Sequence, residues 1–396
     1  MSEITAPYAS SMNPFKFRMP REIVFASGCS GLTVEKLKSL GSKRPLFVTG
    51  KRKEKSPRLA VMMDAVNDMG LKCGHWGKVL PEPPVKLLNE AVSFIRDGEY
   101  DALVAFGGGS SMDFVKMAAV LAEHPEINVS DVTGNDKVPF RGLPTIMIPT
   151  TAGSGSEVSA VAVFSFEEEQ TKKGISSGNL VADIALVDPA LTLPLPPAIT
   201  AASGMDALVH GVEAYLSLGT NPFTQDLALT SIKAISSNLA KCVKDGSDLE
   251  AREQQAYGSM VAGMAFSMSG TAGVHARGYP LGGEFHIPHG EANTALLRWV
   301  MEYNLEGCEE KFVPVAKAMG AYDSEMTAKE AARSALNAMI ALGEEVGVKT
   351  RLRDFGIPKD AVKRMAESAM NETRLINNNP RKMDVKSVEE IYTKAW

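Results

Sequence analysis

The stretch Tyr100-Asp-Ala-Leu-Val-Ala-Phe-Gly-Gly-Gly-Ser110 shows the pattern that decides the fold. Its residues 100–106 form a short, mainly apolar run, which predicts a buried strand. The glycine run 107–110 follows directly, and residues 112–122 then have the pattern of a helix. A strand, a glycine turn and a helix in this order are typical of an α/β unit whose turn can accept a phosphate.

The same alternation of strands and helices extends on both sides of this stretch. Because strands separated by helices pair in parallel, the order favours a parallel sheet with helices on both faces. The sequence therefore predicts a Rossmann-like α/β domain. After an irregular arm at 1–19, the predicted strands are 20–25, 45–50 and 145–149, and the predicted helices are 32–40, 57–69 and 85–96.

The character of the chain changes at residues 187–189, where a connector rich in Leu and Pro begins. Strand patterns are scarce beyond this point. We therefore predict two domains, an α/β domain at 1–188 and an all-α domain at 189–396. The predicted helices of the second domain are 204–217, 222–243, 249–268, 290–304, 309–319, 327–346, 358–369 and 386–395.

The composition is ordinary for a globular protein of 396 residues, and the formal net charge is −5. The chain contains no block of Lys and Arg that would bind nucleic acid or an anionic membrane surface. No apolar run reaches the roughly 18–20 residues that a membrane span needs, and the N-terminus lacks the pattern of a secretion signal. The four cysteines are scattered without a CxxC pair, which predicts free thiols in a reducing cytoplasm.

Two glycine-containing loops are candidates for binding the phosphates of a nucleotide. The loops 107–110 and 150–155 each end a predicted strand, so a parallel sheet would place both at one edge. Neither has the GxGxxG or GxxxxGK[ST] spacing, so plain tight turns are the alternative. The strand that ends at Gly50 is followed by Lys51 and Arg52. In proteins that bind NAD, an acidic residue at this point often binds the adenosine ribose. Cations at this point instead favour the 2′-phosphate of NADP(H), and a solvated basic turn is the alternative.

A second pattern indicates a metal site in the C-terminal half. In Gly204-Met-Asp-Ala-Leu-Val-His-Gly-Val-Glu-Ala-Tyr-Leu216, Asp206 and His210 are four residues apart. A helix would place the two side chains about one turn apart on one face, where both can bind one cation. A polar face that is simply solvated is the alternative.

Two further histidines extend this candidate site. His275 and His289 flank a segment rich in Gly and Pro, which predicts a bend that brings the ends of two helices together. With Asp206 and His210 they make one carboxylate and three imidazoles, a set that suits iron or zinc. His286 and His289, three residues apart, are a rival pair.

The order and spacing of these motifs match a known family. The chain resembles the iron-containing (group III) alcohol dehydrogenases over nearly its whole length. The resemblance implies the architecture shared with dehydroquinate synthase, with a dinucleotide-binding domain at 1–188 and a helical metal-binding and substrate domain at 189–396. The matching stretches are Gly107-Gly-Gly-Ser110 with Asp113, Pro149-Thr-Thr-Ala-Gly-Ser154 with Glu157, Asp188-Pro189, Pro196-Pro-Ala198, Gly204-Met-Asp-Ala-Leu-Val-His210, His275 with His289, and Asn379-Pro-Arg381.

The resemblance also implies roles for individual residues. It favours His289 over His286, and it implies one cofactor contact from a lysine, counted as Lys172 with Lys173 as the alternative. Members of the family commonly form homodimers or larger homo-oligomers. The implied ligands of Fe²⁺, or of Zn²⁺, are Asp206, His210, His275 and His289. The implied contacts of NADP(H) or NAD(H) are Gly50, Gly107, Gly108, Gly109, Ser110, Asp113, Thr150, Thr151, Ser154 and Lys172.

The sequence departs from the family near the expected substrate. Tyr279, four residues after His275, replaces a histidine expected to relay protons, and Val161 replaces an asparagine on the nicotinamide side. Arg277 follows His275 by two residues, and Arg298 stands where many members have proline. Arginine recognises carboxylates and sulfonates with forked hydrogen bonds, so the hypothesis is an aldehyde with an acidic group, a semialdehyde or sulfoaldehyde. Tyr279 and Arg277 are thus the candidate catalytic residues, with an ordinary ion pair elsewhere as the alternative for each arginine.

Together these features predict a metal-dependent, NAD(P)-linked oxidoreductase that interconverts a small primary alcohol and its aldehyde, acting as an aldehyde reductase. A metal ion would polarise the carbonyl oxygen, and the nicotinamide would exchange a hydride with the carbon. A lyase of the dehydroquinate synthase type and a non-catalytic sensor of nucleotide or metal are the two alternatives.

Overall fold

Nine strands form two sheets in the computed structural model, which describes residues 15–169 and 171–396. The larger sheet has six parallel strands in the order β1-β9-β6-β4-β2-β3, and the smaller sheet has the order β5-β8-β7. The strands are β1 (Glu22–Phe25), β2 (Pro45–Gly50), β3 (Gly74–Val79), β4 (Ala102–Gly107), β5 (Gly134–Asn135), β6 (Thr145–Pro149), β7 (Val161–Phe166), β8 (Thr171–Ser176) and β9 (Ile184–Val187).

The central strands of the larger sheet are apolar because both of their faces are covered. Successive side chains of a strand point to opposite faces, so Leu103 and Val104 of β4 enter two separate clusters. Leu103 packs with Met147 on the face covered by α3 (Val85–Asp97) and α4 (Gly109–Glu123). Val104 packs with Ile146 on the face covered by α1 (Thr33–Ser39) and α2 (Pro57–Asp68).

The parallel pairing places the candidate cofactor loops at one edge of the larger sheet. The predicted strands 45–50 and 145–149 are confirmed to the residue as β2 and β6. Gly107, at the end of β4, pairs with Pro149, at the end of β6, and β2 runs parallel to β4 beside them. Because all three strands run in the same direction, the residues after Gly50, Gly107 and Pro149 meet at this edge.

The C-terminal half is helical, as predicted. We keep the division at 188/189 as a proposed domain boundary. None of the helices described in the structure is both long and apolar enough to cross a membrane. The helices are α5 (Pro197–Leu216), α6 (Pro222–Lys244), α7 (Leu249–Ser269), α8 (Gly273–Phe285), α9 (His289–Leu305), α10 (Glu309–Ala318), α11 (Ala328–Glu345), α12 (Ala361–Ala369), α13 (Thr373–Ile376) and α14 (Val385–Ala395).

The prediction of a bend between His275 and His289 is wrong in part, because α8 occupies most of this segment. The helix continues through Pro280, and its residues 273–282 are all buried. Tertiary packing thus outweighs the low helix propensity of its glycines and proline. His275 accordingly lies near the start of a helix and not at the end of one.

The antiparallel hairpin β7–β8 was not expected from the sequence, which predicted only parallel pairing. Val161 pairs with Ser176 and Phe166 with Thr171 across this hairpin. Of the irregular arm predicted at 1–19, residues 1–14 lie outside the described residues, and residues 15–20 have no regular secondary structure.

Candidate metal and cofactor site

Four side chains from three helices meet at one point, as the sequence predicted. Asp206 and His210 lie one turn apart on α5, His275 lies near the start of α8, and His289 is the first residue of α9. One ligand atom from each residue lies within 4.8 Å of the others. His286, the rival candidate, caps the end of α8 in a left-handed conformation and is not part of this cluster. The structure therefore brings together the four residues that the sequence selected.

The orientation of His275 fits a metal ligand. Its Nδ1 lies 2.6 Å from a carboxylate oxygen of Glu213, and that carboxylate also accepts a hydrogen bond from the backbone N–H of Ala272. Its Nε2 is buried and has no hydrogen-bond partner among the described residues. Because an unpaired buried nitrogen is costly, a ligand for Nε2 is expected at the centre of the cluster.

The charge state of the cluster also fits a divalent metal. Burial disfavours the charged imidazolium and lowers the pKa of His210 to about 4 and that of His289 to about 3. Burial opposes ionisation of Asp206, but the neighbouring imidazoles and the Asn293 amide hold its pKa below the usual value. At neutral pH the cluster therefore presents a carboxylate and the neutral imidazoles of His210 and His289, donors that suit iron or zinc.

A cavity of about 1120 Å³ extends from this cluster along the edge of the larger sheet. The loop residues Gly107–Ser110 line it at the start of α4, where backbone N–H groups and the helix dipole favour an anion. An ideal Cβ on Gly108 would lie 3.2 Å from Thr151 Oγ1, and one on Gly109 would lie 2.8 Å from the Ser154 side chain. The glycines thus let the two candidate loops touch each other.

Two of the predicted cofactor contacts, Thr150 and Asp113, make hydrogen bonds within the protein. Thr150 is almost fully buried, is not part of the cavity wall, and donates its backbone N–H to the carbonyl of Gly107, so it joins the two loops. The Asp113 carboxylate borders the cavity but accepts a hydrogen bond from the backbone N–H of Val163 at 2.9 Å and one from the Ser156 hydroxyl. These hydrogen bonds hold the Asp113 carboxylate at the cavity wall, and its contact with the cofactor stays a prediction.

At the other end of the cavity, Gly50 is followed by Lys51, Arg52 and Lys53, and all four residues line the wall. Lys51 and Arg52 are exposed. The three residues after Gly50 are all cations, and the first carboxylate, Glu54, comes only at the end of this short helix. Cations directly after Gly50 are the feature that favours a 2′-phosphate.

The structure distinguishes Lys172 from Lys173 through the alternation of β8. Lys172 is buried in the cavity and forms an ion pair with Glu82, a residue that sequence reasoning missed. Lys173 points to the opposite face, where it pairs with Glu169 at 2.6 Å. Burial lowers the pKa of Lys172, and the Glu82 carboxylate opposes this effect.

Of the two candidate catalytic residues, only Tyr279 reaches the cavity. Its ring centroid lies 6.4 Å from that of His289, and burial raises its pKa to about 12. Arg277 is fully buried and donates to the carbonyl of Gly273, which corrects its expected place at the substrate. Residues two positions apart on a helix face roughly opposite sides, so Arg277 cannot share the face that presents His275 and Tyr279.

The expectation for Arg298 is also wrong, because its guanidinium packs over the ring of Trp299, 4.6 Å from the centroid, beside a separate small pocket. A different arginine, Arg374 of α13, lines the cavity. Sequence reasoning missed Arg374 because it lies more than eighty residues from the nearest proposed ligand, His289, and belongs to a helix of only four residues.

Comparison with known proteins identifies the family. Residues 20–189 match the family model described as iron-containing alcohol dehydrogenase, and residues 200–396 match that of the Fe-containing alcohol dehydrogenase family, C-terminal. Long-chain-alcohol dehydrogenase 1 of Geobacillus thermodenitrificans is 39% identical over 366 residues, 92% of each chain.

Two solved structures have the same fold. A 1,3-propanediol oxidoreductase has a TM-score of 0.94 and 33% identity, covering 97% of this chain and 100% of its own. Sulfoacetaldehyde reductase from Bifidobacterium kashiwanohense, solved with NAD⁺, has a TM-score of 0.86 and 27% identity, covering 97% and 99%. These matches set aside the lyase and sensor alternatives, and the chain belongs to the iron-containing alcohol dehydrogenase family.

Proposed function

We propose that this enzyme reduces a small aldehyde to a primary alcohol with NADPH or NADH and a divalent metal ion. The observation that carries the proposal is the shared cavity, which has the four-residue cluster at one end and the candidate phosphate loops along its wall. A carbonyl group and a cofactor bound in this cavity occupy one space that is partly closed to solvent.

The side chains that line the cavity have different proposed roles. Asp206 and the three imidazoles would hold Fe²⁺ or Zn²⁺, which supplies a Lewis acid for the carbonyl oxygen, while the cofactor supplies the hydride. Phe266 stacks on His210 with ring centroids 4.5 Å apart and keeps water from one side of the cluster. Tyr279 keeps its proton at neutral pH because of its raised pKa, so its hydroxyl can donate a hydrogen bond to the substrate.

For the cofactor we propose a preference for NADP(H), supported by Lys51 and Arg52 after Gly50. Fluorescence titration should then give a lower Kd for NADPH than for NADH, and Gly50→Asp should reverse the order because a carboxylate repels the 2′-phosphate and binds ribose hydroxyls. Tighter binding of NADH by the wild-type enzyme would overturn this preference.

The relatives are named for different alcohols and aldehydes. The proposed substrate is therefore a small aldehyde, in its more specific form one with an acidic group. Sulfoacetaldehyde reductase is one solved relative whose name specifies such a group. We also propose a homo-oligomer, as in the family that the sequence resembles, and light scattering tests the oligomeric state.

The test of the proposed function compares two histidines three residues apart. The protein is purified without oxygen, loaded with Fe²⁺ or Zn²⁺, and assayed for aldehyde-dependent oxidation of NADPH and NADH. His289→Ala should lower kcat/KM at least about 100-fold, because losing one ligand impairs binding of the ion. His286→Ala, outside the cluster, should change kcat/KM less than about twofold. No consumption of NAD(P)H with any aldehyde, or full activity of His289→Ala, would refute the proposal.

A further inference from the structure

A guanidinium lies near the metal end of the cavity. Arg374 of α13 lines the same cavity as the four-residue cluster. An ideal Cβ on Gly174 of β8 would lie 3.1 Å from Arg374 Nη2 and 3.6 Å from Tyr279 Oη, so the guanidinium and the phenol meet over this glycine. The ring of Tyr279 in turn lies 6.4 Å from that of His289. Arg374 is therefore separated from the cluster by about one tyrosine side chain.

The charge of Arg374 is not neutralised within the described part of the chain. Among residues 15–169 and 171–396, no carboxylate oxygen lies within 4.0 Å of its guanidinium. Lys172, the other cation near the cluster, is paired with Glu82. Glu372 forms no such pair with Arg374; burial raises the pKa of this carboxyl, and the charge of Arg374 opposes that effect. A guanidinium in a cavity without a counter-ion favours an anionic group on the ligand.

Resting on the proposed aldehyde reduction, we infer that Arg374, with the Tyr279 hydroxyl beside it, binds an anion at the far end of the substrate. The enzyme thereby selects aldehydes that have a carboxylate or a sulfonate at the opposite end. The length of one tyrosine side chain corresponds to a short substrate, with about two to four carbon atoms including the carbonyl. Arg374 takes the role that sequence reasoning had given to Arg277 and Arg298.

The geometry around Gly174 supports this role. Any side chain at position 174 would press on Nη2 of Arg374, so the glycine leaves room for the guanidinium beside β8. The fork of Arg374 is planar and always charged, which suits two parallel hydrogen bonds to a carboxylate or a sulfonate. Lysine at this position would keep the charge but lose the fork.

The test measures kcat/KM for aldehydes of equal carbon number with and without the anion. One arm compares malonic and succinic semialdehydes with propanal and butanal, and a second arm compares sulfoacetaldehyde with acetaldehyde. Arg374→Gln should lower kcat/KM for the acidic substrates about 10- to 100-fold and change the neutral ones less than about threefold. For the acidic substrates, Arg374→Lys should give a kcat/KM between that of the wild type and that of Arg374→Gln. Arg364→Gln, which removes an exposed arginine of α12 paired with Glu284, is the matched control and should leave both classes unchanged.

The outcomes separate this inference from the proposed function. The arm with the larger loss identifies carboxylate or sulfonate as the natural anion. Equal losses for acidic and neutral aldehydes, or no preference for acidic aldehydes in the wild-type enzyme, would overturn the inference while leaving aldehyde reduction intact. If no aldehyde is reduced at all, the proposed function fails, and calorimetry with 3-hydroxypropionate and isethionate decides the subsite. If wild type and Arg374→Gln then bind these two anions with equal Kd values, the anion subsite at Arg374 is refuted.

Discussion

Glu213 links the two parts of the candidate metal site through one carboxylate. It lies on α5 one turn after His210, and it accepts from the backbone N–H of Ala272 at the start of α8 and contacts Nδ1 of His275. This contact fixes the ring so that Nε2 points to the cluster, as carboxylates commonly do behind histidine ligands. Glu213 thus orients a proposed ligand without itself belonging to the ligand set.

Glu213→Gln should therefore weaken metal binding about 10- to 100-fold, because an amide neither carries the charge nor holds the histidine tautomer as well. The measurement is a competition titration of Fe²⁺ or Zn²⁺ against a chelator. Glu250→Gln, at an exposed position near the start of α7, is the control. Unchanged affinity in the Glu213 variant would show that His275 is oriented by other contacts.

A buried acid elsewhere predicts a pH dependence of stability. Burial raises the pKa of Glu157 from its usual 4.5 to about 7 in the folded chain. Below pH 4.5 both folded and unfolded chains hold this proton, and between pH 4.5 and 7 only the folded chain does. The stabilisation due to the neutral carboxyl is therefore fully present below pH 4.5 and is lost as the pH rises through 7.

Replacing Glu157 by Gln removes this titration. From pH 5 to pH 7, the free energy of unfolding of Glu157→Gln should rise relative to that of the wild type by about 2 kcal/mol. Urea unfolding at pH 5, 6 and 7 provides the measurement, and Glu123→Gln at the exposed end of α4 is the control. Parallel pH profiles for wild type and Glu157→Gln would contradict the raised pKa.

At the scale of elements, the hairpin β7–β8 decides which groups line the cavity. Alternation along β8 turns Lys172 and Gly174 toward the cavity and Lys173 away from it. Gly282 of α8 has no side chain and lets Lys172 approach closely, since an ideal Cβ there would collide with the ammonium group. The hairpin and α8 therefore shape the cavity wall together.

Two neighbouring lysines test this alternation. Lys172→Met should raise the KM for the nicotinamide cofactor about 10-fold or more, because it removes a buried cation and leaves Glu82 without its partner. Lys173→Met should change KM less than about twofold, because it removes an ion pair with Glu169 and a contact with the Phe166 ring, both outside the cavity. The measurement is the KM for NADPH and for NADH at saturating aldehyde. Equal effects of the two substitutions would mean that β8 has a different register.

At the scale of the whole molecule, the cavity depends on contact between the two halves of the chain. The carbonyl of Gly153, in the second candidate cofactor loop, lies 3.2 Å from Nδ1 of His210. Gly155 of the same loop has φ +59° and packs directly on Gly263 of α7. An ideal Cβ on Gly263 would lie only 2.7 Å from the carbonyl oxygen of Gly155. The candidate cofactor loop and the four-residue cluster are thus held against each other.

Gly263→Ala should force the loop away from α7. We expect a loss of about 1–3 kcal/mol in the free energy of unfolding and weaker binding of the cofactor. Gly343→Ala is the matched control within α11, because its Cβ would make an ordinary contact at 3.4 Å. That substitution should be neutral or stabilise by up to about 1 kcal/mol through helix propensity. Calorimetric Tm values and the cofactor Kd provide the measurements, and equal results for both variants would contradict the contact.

Local pattern alone predicted a large part of this molecule. The strands 45–50 and 145–149 and the start of the helix at 222 follow from short-range apolar periodicity, proline and glycine, and these were predicted to the residue. Asp206 and His210 were also predicted to lie side by side, because aspartate and histidine four residues apart share one face of any helix. The choice of His289 over His286 came instead from the resemblance to the family.

Only the tertiary structure decided the rest. The helix α8 runs through Pro280 because burial of its residues 273–282 outweighs local propensity, and this turns Arg277 away from the cavity. Arg374, Glu82 and Glu213 gain their places through contacts between residues far apart in the chain, which no periodicity encodes. The amino-acid sequence by itself determined four of the six strands of the larger sheet, most helices and the chemistry of the proposed ligands. Long-range packing determined which charges face the cavity, because their positions depend on the summed contacts of distant elements.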